Sequence, residues 1–160
     1  MTEAAVAVIQ PAAIRHNLQR IRAATPGCRV MAVIKANGYG HGLVTAAKIL
    51  HDVDALAVAR VSEGLRLREA GIEQRIVVLE GCSNAEEAEA AVAGKLDIVV
   101  HDPAHFSLLE DLSSTASLDV WLKLDTGMGR LGFPCDAFAD CMRRLNGIAS
   151  GVHLGRGRAK

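Results

Sequence analysis

The sequence predicts an α/β protein built on a parallel sheet, in the form of an incomplete (β/α)8 TIM-type barrel. Short apolar runs rich in β-branched residues alternate with segments of helical periodicity. The strand–helix unit recurs about every 20 to 25 residues, which calls for right-handed βαβ crossovers. The runs are apolar on both faces, as strands are when helices cover a parallel sheet. An open doubly wound sheet competes with the barrel on these grounds. A barrel has eight strands and typically about 250 residues. Six strands are legible in these 160 residues, so the expected barrel is unfinished.

The elements run in order along the chain. Ile14, Leu18 and Ile21 share one face of a helix that precedes the first strand, expected at 30–35. Leu43, Ala46, Ala47 and Leu50 fall at i, i+3, i+4 and i+7 and predict the next helix from about residue 43. Strands are expected at 55–59, 75–80 and 96–101. Asn84, followed by Glu86, Glu87 and Glu89, reads as an N-cap with acids in the first turns, and Gly94 stands where a C-cap glycine belongs. The three glutamates read most simply as a solvated helix face. Pro103 separates His101 from His105, so His101 ends a strand and His105 begins a helix, which argues against a metal site there. A fifth strand is expected at 118–124, then a helix whose face is Phe138, Cys141, Met142 and Leu145, then a sixth strand at 148–154. His16 and His51 read as helix-surface residues. Residues 1–154 form the expected domain. Residues 155–160 (Gly-Arg-Gly-Arg-Ala-Lys) read as an abrupt basic tail, which a premature stop or frame change near Leu154 would produce.

Composition narrows the function classes. Half of the residues are apolar, and 18 Lys plus Arg balance 18 Asp plus Glu. No net field draws in a polyanion, which disfavours nucleic acid and anionic membrane as partners. Five aromatic residues (Trp121, Tyr39, Phe106, Phe133 and Phe138) are too few for a base-stacking platform. No apolar run approaches the roughly 18 to 20 residues of a membrane span, and the N-terminus lacks the basic start and apolar stretch of a signal peptide, so a cytoplasmic location is expected. Cys28, Cys82, Cys135 and Cys141 have no C-x-x-C spacing; they are expected to be reduced thiols, most of them small core residues, with no metal bound.

Two constellations carry chemistry. In Ala32-Val33-Ile34-Lys35-Ala36-Asn37-Gly38-Tyr39-Gly40-His41-Gly42 a lysine ends an apolar strand and three glycines come after it within a stretch of five residues. The backbone can turn tightly there and approach a ligand before the helix begins, and His41 helps shape the loop. A lone lysine at a strand end is ordinarily a solvated charge. At the carboxyl mouth of a parallel strand, where α/β active sites lie, a desolvated lysine is a competent nucleophile toward an aldehyde. The second constellation is Trp121-Leu122-Lys123-Leu124-Asp125-Thr126-Gly127-Met128-Gly129-Arg130-Leu131-Gly132. By letter it contains G-x-G-x-x-G, but no acid stands on the next strand to hold a ribose, which argues against dinucleotide binding. It sets Lys123, Asp125 and Arg130 around a strand mouth, with Arg130 suited to a carboxylate.

Together, the Lys35 motif and Lys-Leu-Asp-Thr-Gly-Met-Gly-Arg-Leu-Gly at 123–132 resemble the two signature motifs of the alanine racemases, in the expected order and over residues 5 to 154. The resemblance implies pyridoxal 5′-phosphate as cofactor, joined to Lys35 as an aldimine, with Lys35 then serving as acid and base on one face of the alanine Cα. It further implies that Tyr39 hydrogen-bonds the cofactor phosphate. Arg130 would hold the substrate carboxylate and the cofactor's phenolic oxygen, and Lys123, carbamylated in relatives, would orient Arg130. The implied reaction interconverts L- and D-alanine, supplying D-alanine for cell-wall peptidoglycan. In the family a β-domain comes after the barrel, and a homodimer completes each site by a tyrosine from the partner. Tyr39 is the only tyrosine here, so a fragment inactive on its own is expected. A non-catalytic barrel protein that binds pyridoxal phosphate is the alternative, and an aggregating truncated product the third reading.

Overall fold

The computed structural model describes residues 6–112, 117–148 and 152–154. Helix α1 (Pro11–Ala24) leads into β1 (Met31–Val33), a tight turn α2 (Lys35–Tyr39) and helix α3 (Leu43–Ile49). Three further units come next: β2 (Ala55–Val58) with α4 (Val61–Glu69), β3 (Ile76–Val78) with α5 (Ala85–Ala93), and β4 (Asp97–Val100) with α6 (Pro103–Glu110). Strand β5 (Leu118–Leu122) leads to a two-residue pair, β6 (Leu124–Asp125) with β7 (Phe133–Pro134). A 3-10 turn (Cys135–Ala137), helix α7 (Phe138–Gly147) and β8 (Val152–Leu154) complete the described chain.

The main sheet is parallel throughout and runs β1-β2-β3-β4-β5-β8, so successive strands along the chain are neighbours in space. A doubly wound sheet reverses its strand order at a switch point. Here the order never reverses, which selects barrel-type winding, and all six expected strands are present, trimmed by a residue or more at their ends. The expected tail 155–160 and residues 149–151 of the last expected strand lie outside the described residues.

Alternation along each strand separates two faces. Leu56, Val58, Ile76, Val78, Ile98, Val100, Leu118 and Val120 point outward and are buried against helix residues including Leu43, Leu67, Phe106 and Leu109. The inner face carries a smaller set, Ala55, Ala57, Val77 and Val99, joined by Met31, Leu79 and Trp121. At the amino ends of the strands the inner face is charged. Arg75 Nε donates to Asp97 at 2.5 Å, its other nitrogen donates to Asp119, and Trp121 Nε1 donates to Asp97 at 2.7 Å. Burial pushes the Asp97 carboxyl above its ordinary value, opposed by those bonds from Trp121 and Arg75.

Several local expectations need correction. Asn84 does cap α5, its side chain accepting from Glu87 N–H at 2.9 Å. Gly94 stands at the C-cap but in right-handed conformation (φ −78°), and the left-handed residue is Lys95 (φ 49°). A Cβ at Gly94 would lie 2.8 Å from the end of the Leu65 side chain and 3.2 Å from Ala90 O, so the space there is tight. Of the four cysteines, Cys82 and Cys141 are buried and Cys28 and Cys135 exposed, so half rather than most serve the core. Burial and the nearby Glu87 push the Cys82 thiol up to about 12. On α1 only Leu18 is buried, and Ile21 is 51% exposed because nothing among the described residues covers that end of the helical face. On α7, Cys141 and Leu145 are buried while Phe138 is exposed. His51 lies in the turn after α3, not on a helix.

Candidate active site

The carboxyl ends of the parallel strands open on a cavity of about 450 Å³, a volume in the range of small-molecule sites. Met31, Val77, Leu79, Val99 and Trp121 form its apolar floor, and Lys35, Lys123, Arg130 and Glu80 its polar rim. Three of the four expected site residues therefore share one cavity. Tyr39 is not among its lining residues and is 59% exposed at the end of the Lys35 turn. Three cations, with one carboxylate, over an apolar, partly aromatic floor are compatible in charge and polarity with a small anionic aromatic molecule such as pyridoxal 5′-phosphate.

The Lys35 turn is built from unusual backbone. Ala36, Asn37, Gly38 and Tyr39 all have positive φ, between 51° and 65°, a region that side chains with a Cβ avoid. The turn closes on itself through Gly38 N–H to Ile34 O at 2.8 Å and Gly42 N–H to Asn37 O at 2.9 Å. Asn37 Oδ1 accepts from Leu43 N–H at 3.0 Å, which caps α3. His41 Nδ1 lies 2.9 Å from Gly38 O, in keeping with its expected part in shaping the loop.

The Arg130 loop is organised by one carboxylate. Asp125 accepts from Gly127 N–H at 3.0 Å and from Gly129 N–H at 2.8 Å, and these bonds hold its carboxyl below the usual carboxylate range. The first two of the three glycine amides of the apparent dinucleotide fingerprint are thus spent on Asp125, and the loop leads into strand β7 rather than into a helix N-terminus that could receive a pyrophosphate. Gly132 (φ 114°) lets the loop return: a Cβ there would lie 3.0 Å from Asp125 N and 3.1 Å from Lys123 O. Lys123 Nζ donates to Leu131 O at 2.8 Å, so it holds the loop beside Arg130 through the backbone.

His101 and His105 touch edge to face, 4.5 Å between ring centres, and each is engaged elsewhere. His101 Nε2 lies 3.0 Å from Glu80 O, and His105 Nδ1 faces the His101 N–H at 3.3 Å. Burial lowers the His105 pKa. Sequence reasoning misses Glu63, whose carboxylate accepts from the N–H groups of Ala59, Arg60 and Asn37. An acid at the third position of an expected helix is the available signal.

Fold and cavity define a class, that of parallel (β/α)-barrel domains with a lysine- and arginine-lined mouth. A sequence profile described as "Alanine racemase, N-terminal domain" matches residues 9–155. The alanine racemase of Nitrosococcus oceani is 48% identical over 151 residues, which cover 92% of this chain and 42% of the relative. That of Yersinia pestis bv. Antiqua is 46% identical over 144 residues, covering 90% and 40%. Among solved structures, the biosynthetic alanine racemase of Pseudomonas aeruginosa superposes with a TM-score of 0.81 at 36% identity, covering 89% of this chain and 41% of that one. The alanine racemase of Acinetobacter baumannii superposes with a TM-score of 0.80 at 31% identity, covering 90% and 41%. The chain belongs to the alanine racemase N-terminal domain family, and it spans about two fifths of the length of the curated relatives it matches.

Proposed function

We propose that this chain is the cofactor- and carboxylate-binding part of a racemase that interconverts L- and D-alanine with pyridoxal 5′-phosphate. The observation that carries the reading is the meeting of Lys35, Lys123 and Arg130 on one apolar-floored cavity. Lys35 is the residue that would hold the cofactor, and its amine would move a proton to and from one face of the alanine Cα. Arg130 would hold the substrate carboxylate, a match its planar fork makes bidentately. Lys123, carbamylated or not, would keep Arg130 in place by holding its loop, and Tyr39, outside the cavity lining, would turn toward it to reach the cofactor phosphate. Bound pyridoxal phosphate supplies the electron sink that makes the Cα proton removable.

Racemisation also needs a proton on the opposite face. The family resemblance gives that role to a tyrosine; Tyr39 is the only tyrosine of the chain and is assigned to the phosphate, so on that reading the second base would come from outside these residues. A partner subunit in a cytoplasmic homodimer is the source we infer. The 160-residue chain alone is accordingly expected to take up cofactor without forming D-alanine. The test is to incubate it with pyridoxal phosphate, reduce with borohydride and map the modified peptide by mass spectrometry, with D-alanine assayed in parallel. Added mass at Lys35, absent from Lys35→Ala, supports the reading. Added mass elsewhere, or none, sinks it, and robust D-alanine formation by the isolated chain overturns the assignment of the second base.

A further inference from the structure

Glu63 occupies the third position of α4. A glutamate there ordinarily reaches back to the N–H just before its own helix. Glu63 does so, accepting from Arg60 N–H at 3.4 Å, and its same oxygen accepts from Ala59 N–H at 2.9 Å. Its other oxygen faces across to the preceding unit and accepts from Asn37 N–H, 26 residues away, at 3.4 Å. One carboxylate therefore ties the turn that carries Lys35 to the mouth of β2.

That turn needs an outside tie, because three of its residues with side chains, Ala36, Asn37 and Tyr39, sit at φ 52°, 55° and 51°. Such backbone persists when its surroundings over-determine it. The internal bonds of the turn run from Gly38, Gly40, His41 and Gly42, whereas Asn37 N–H finds its acceptor in Glu63. Glu63 does not line the cavity, so whatever it does for the chemistry passes through the turn.

We propose that Glu63 is a positioning residue for Lys35: by holding Asn37 N–H it keeps the left-handed turn closed and fixes the direction in which Lys35 enters the cavity. The inference rests on the reading of Lys35 as the cofactor-holding lysine. Glu63→Gln tests it, since an isosteric amide presents one oxygen where two are used and cannot serve both Asn37 and the Ala59–Arg60 pair. Two readouts are needed on the full chain: amide hydrogen exchange at Asn37, and the equilibrium constant for attachment of pyridoxal phosphate to Lys35, read from the visible absorbance of the attached cofactor. Losing this long hydrogen bond to a carboxylate is expected to speed Asn37 exchange and weaken attachment by about threefold to tenfold each, with cooperative unfolding retained.

If Glu63 merely starts its helix, the unfolding midpoint drops while attachment in the folded protein stays within twofold of the parent, and the proposal is overturned. Should the parent attach no cofactor at Lys35, the reading of Lys35 fails by itself. Asn37 exchange then judges the tie alone, faster exchange supporting it and unchanged exchange overturning it. Where the glutamine variant does not fold, Glu63→Asp takes its place: it keeps the charge and the helix-start preference but is one methylene too short to span Ala59 and Asn37. Parent-like values in that variant overturn the proposal equally.

Discussion

Two loops deliver cations to the same cavity by opposite means. The Lys35 turn after β1 uses left-handed residues that carry side chains and borrows a carboxylate from the next unit. The Arg130 loop between β6 and β7 places its positive φ values on Gly127, Gly129 and Gly132 and folds around its own Asp125. The first is strained and held from outside. The second is relaxed and held locally, so it should tolerate changes elsewhere in the sheet and fail when its own glycines, Asp125 or the adjoining Lys123 change.

The Arg130 loop is most vulnerable at Gly132. Gly132→Ala brings a Cβ to within about 3 Å of backbone atoms of Lys123, Leu124 and Asp125, none of which can swing aside, and adds an unfavourable φ. A loss of about 2–3 kcal/mol is expected from chemical denaturation, with the Arg130 side of the cavity distorted and the Lys35 turn intact. A smaller effect is expected at Asn37. Asn37→Ala removes the cap on Leu43 N–H and leaves a Cβ in left-handed backbone, for a cost of about 1–2 kcal/mol. Asn37→Gly loses the same cap but is at ease at positive φ, so it should be about 1 kcal/mol milder. Equal costs for the two would mean that the turn is not strained.

The smallest effect separates the loops by pH. The Asp125 carboxyl titrates below its ordinary value because its ionised form accepts the Gly127 and Gly129 N–H groups. The folded pKa lies under the unfolded one, so the contribution is complete above the unfolded pKa and is lost as pH falls through the folded one. Amide exchange at Gly127 and Gly129, corrected for its intrinsic pH dependence, should stay protected at neutral pH and rise only in acid. Asp125→Asn should abolish that acid step, and a step that survives in the variant would assign it to another group.

Much of this architecture is legible in the sequence because it is local. The alternation of apolar runs places all six strands, and the face Leu43, Ala46 and Ala47 is buried as its spacing requires. Lys35, Lys123 and Arg130 stand out by their position at strand mouths, and they do meet. The features that escape are non-local. The Arg75–Asp97–Asp119 cluster joins residues 22 and 44 positions apart, and no window of sequence contains it. The β6–β7 pair is too short to leave an apolar pattern. The left-handed Lys35 turn is half visible, since three glycines announce a tight turn, yet much of the strain falls on Ala36, Asn37 and Tyr39, whose side chains give no warning of it.

The Arg75 cluster has an effect beyond packing. The chain has no formal net charge, but along the axis of the sheet its inner charges are unevenly distributed: two carboxylates, Asp97 and Asp119, share one arginine at the amino end, while Lys35, Lys123 and Arg130, with the single carboxylate Glu80, line the carboxyl end. Counted over these groups alone, the amino end carries one negative charge in excess and the carboxyl end two positive ones, which favours an anion at the mouth. Because such guidance decays over roughly 10 Å at 0.1 M salt, it acts on the last approach of a ligand and leaves the molecule as a whole electrically inconspicuous at a distance.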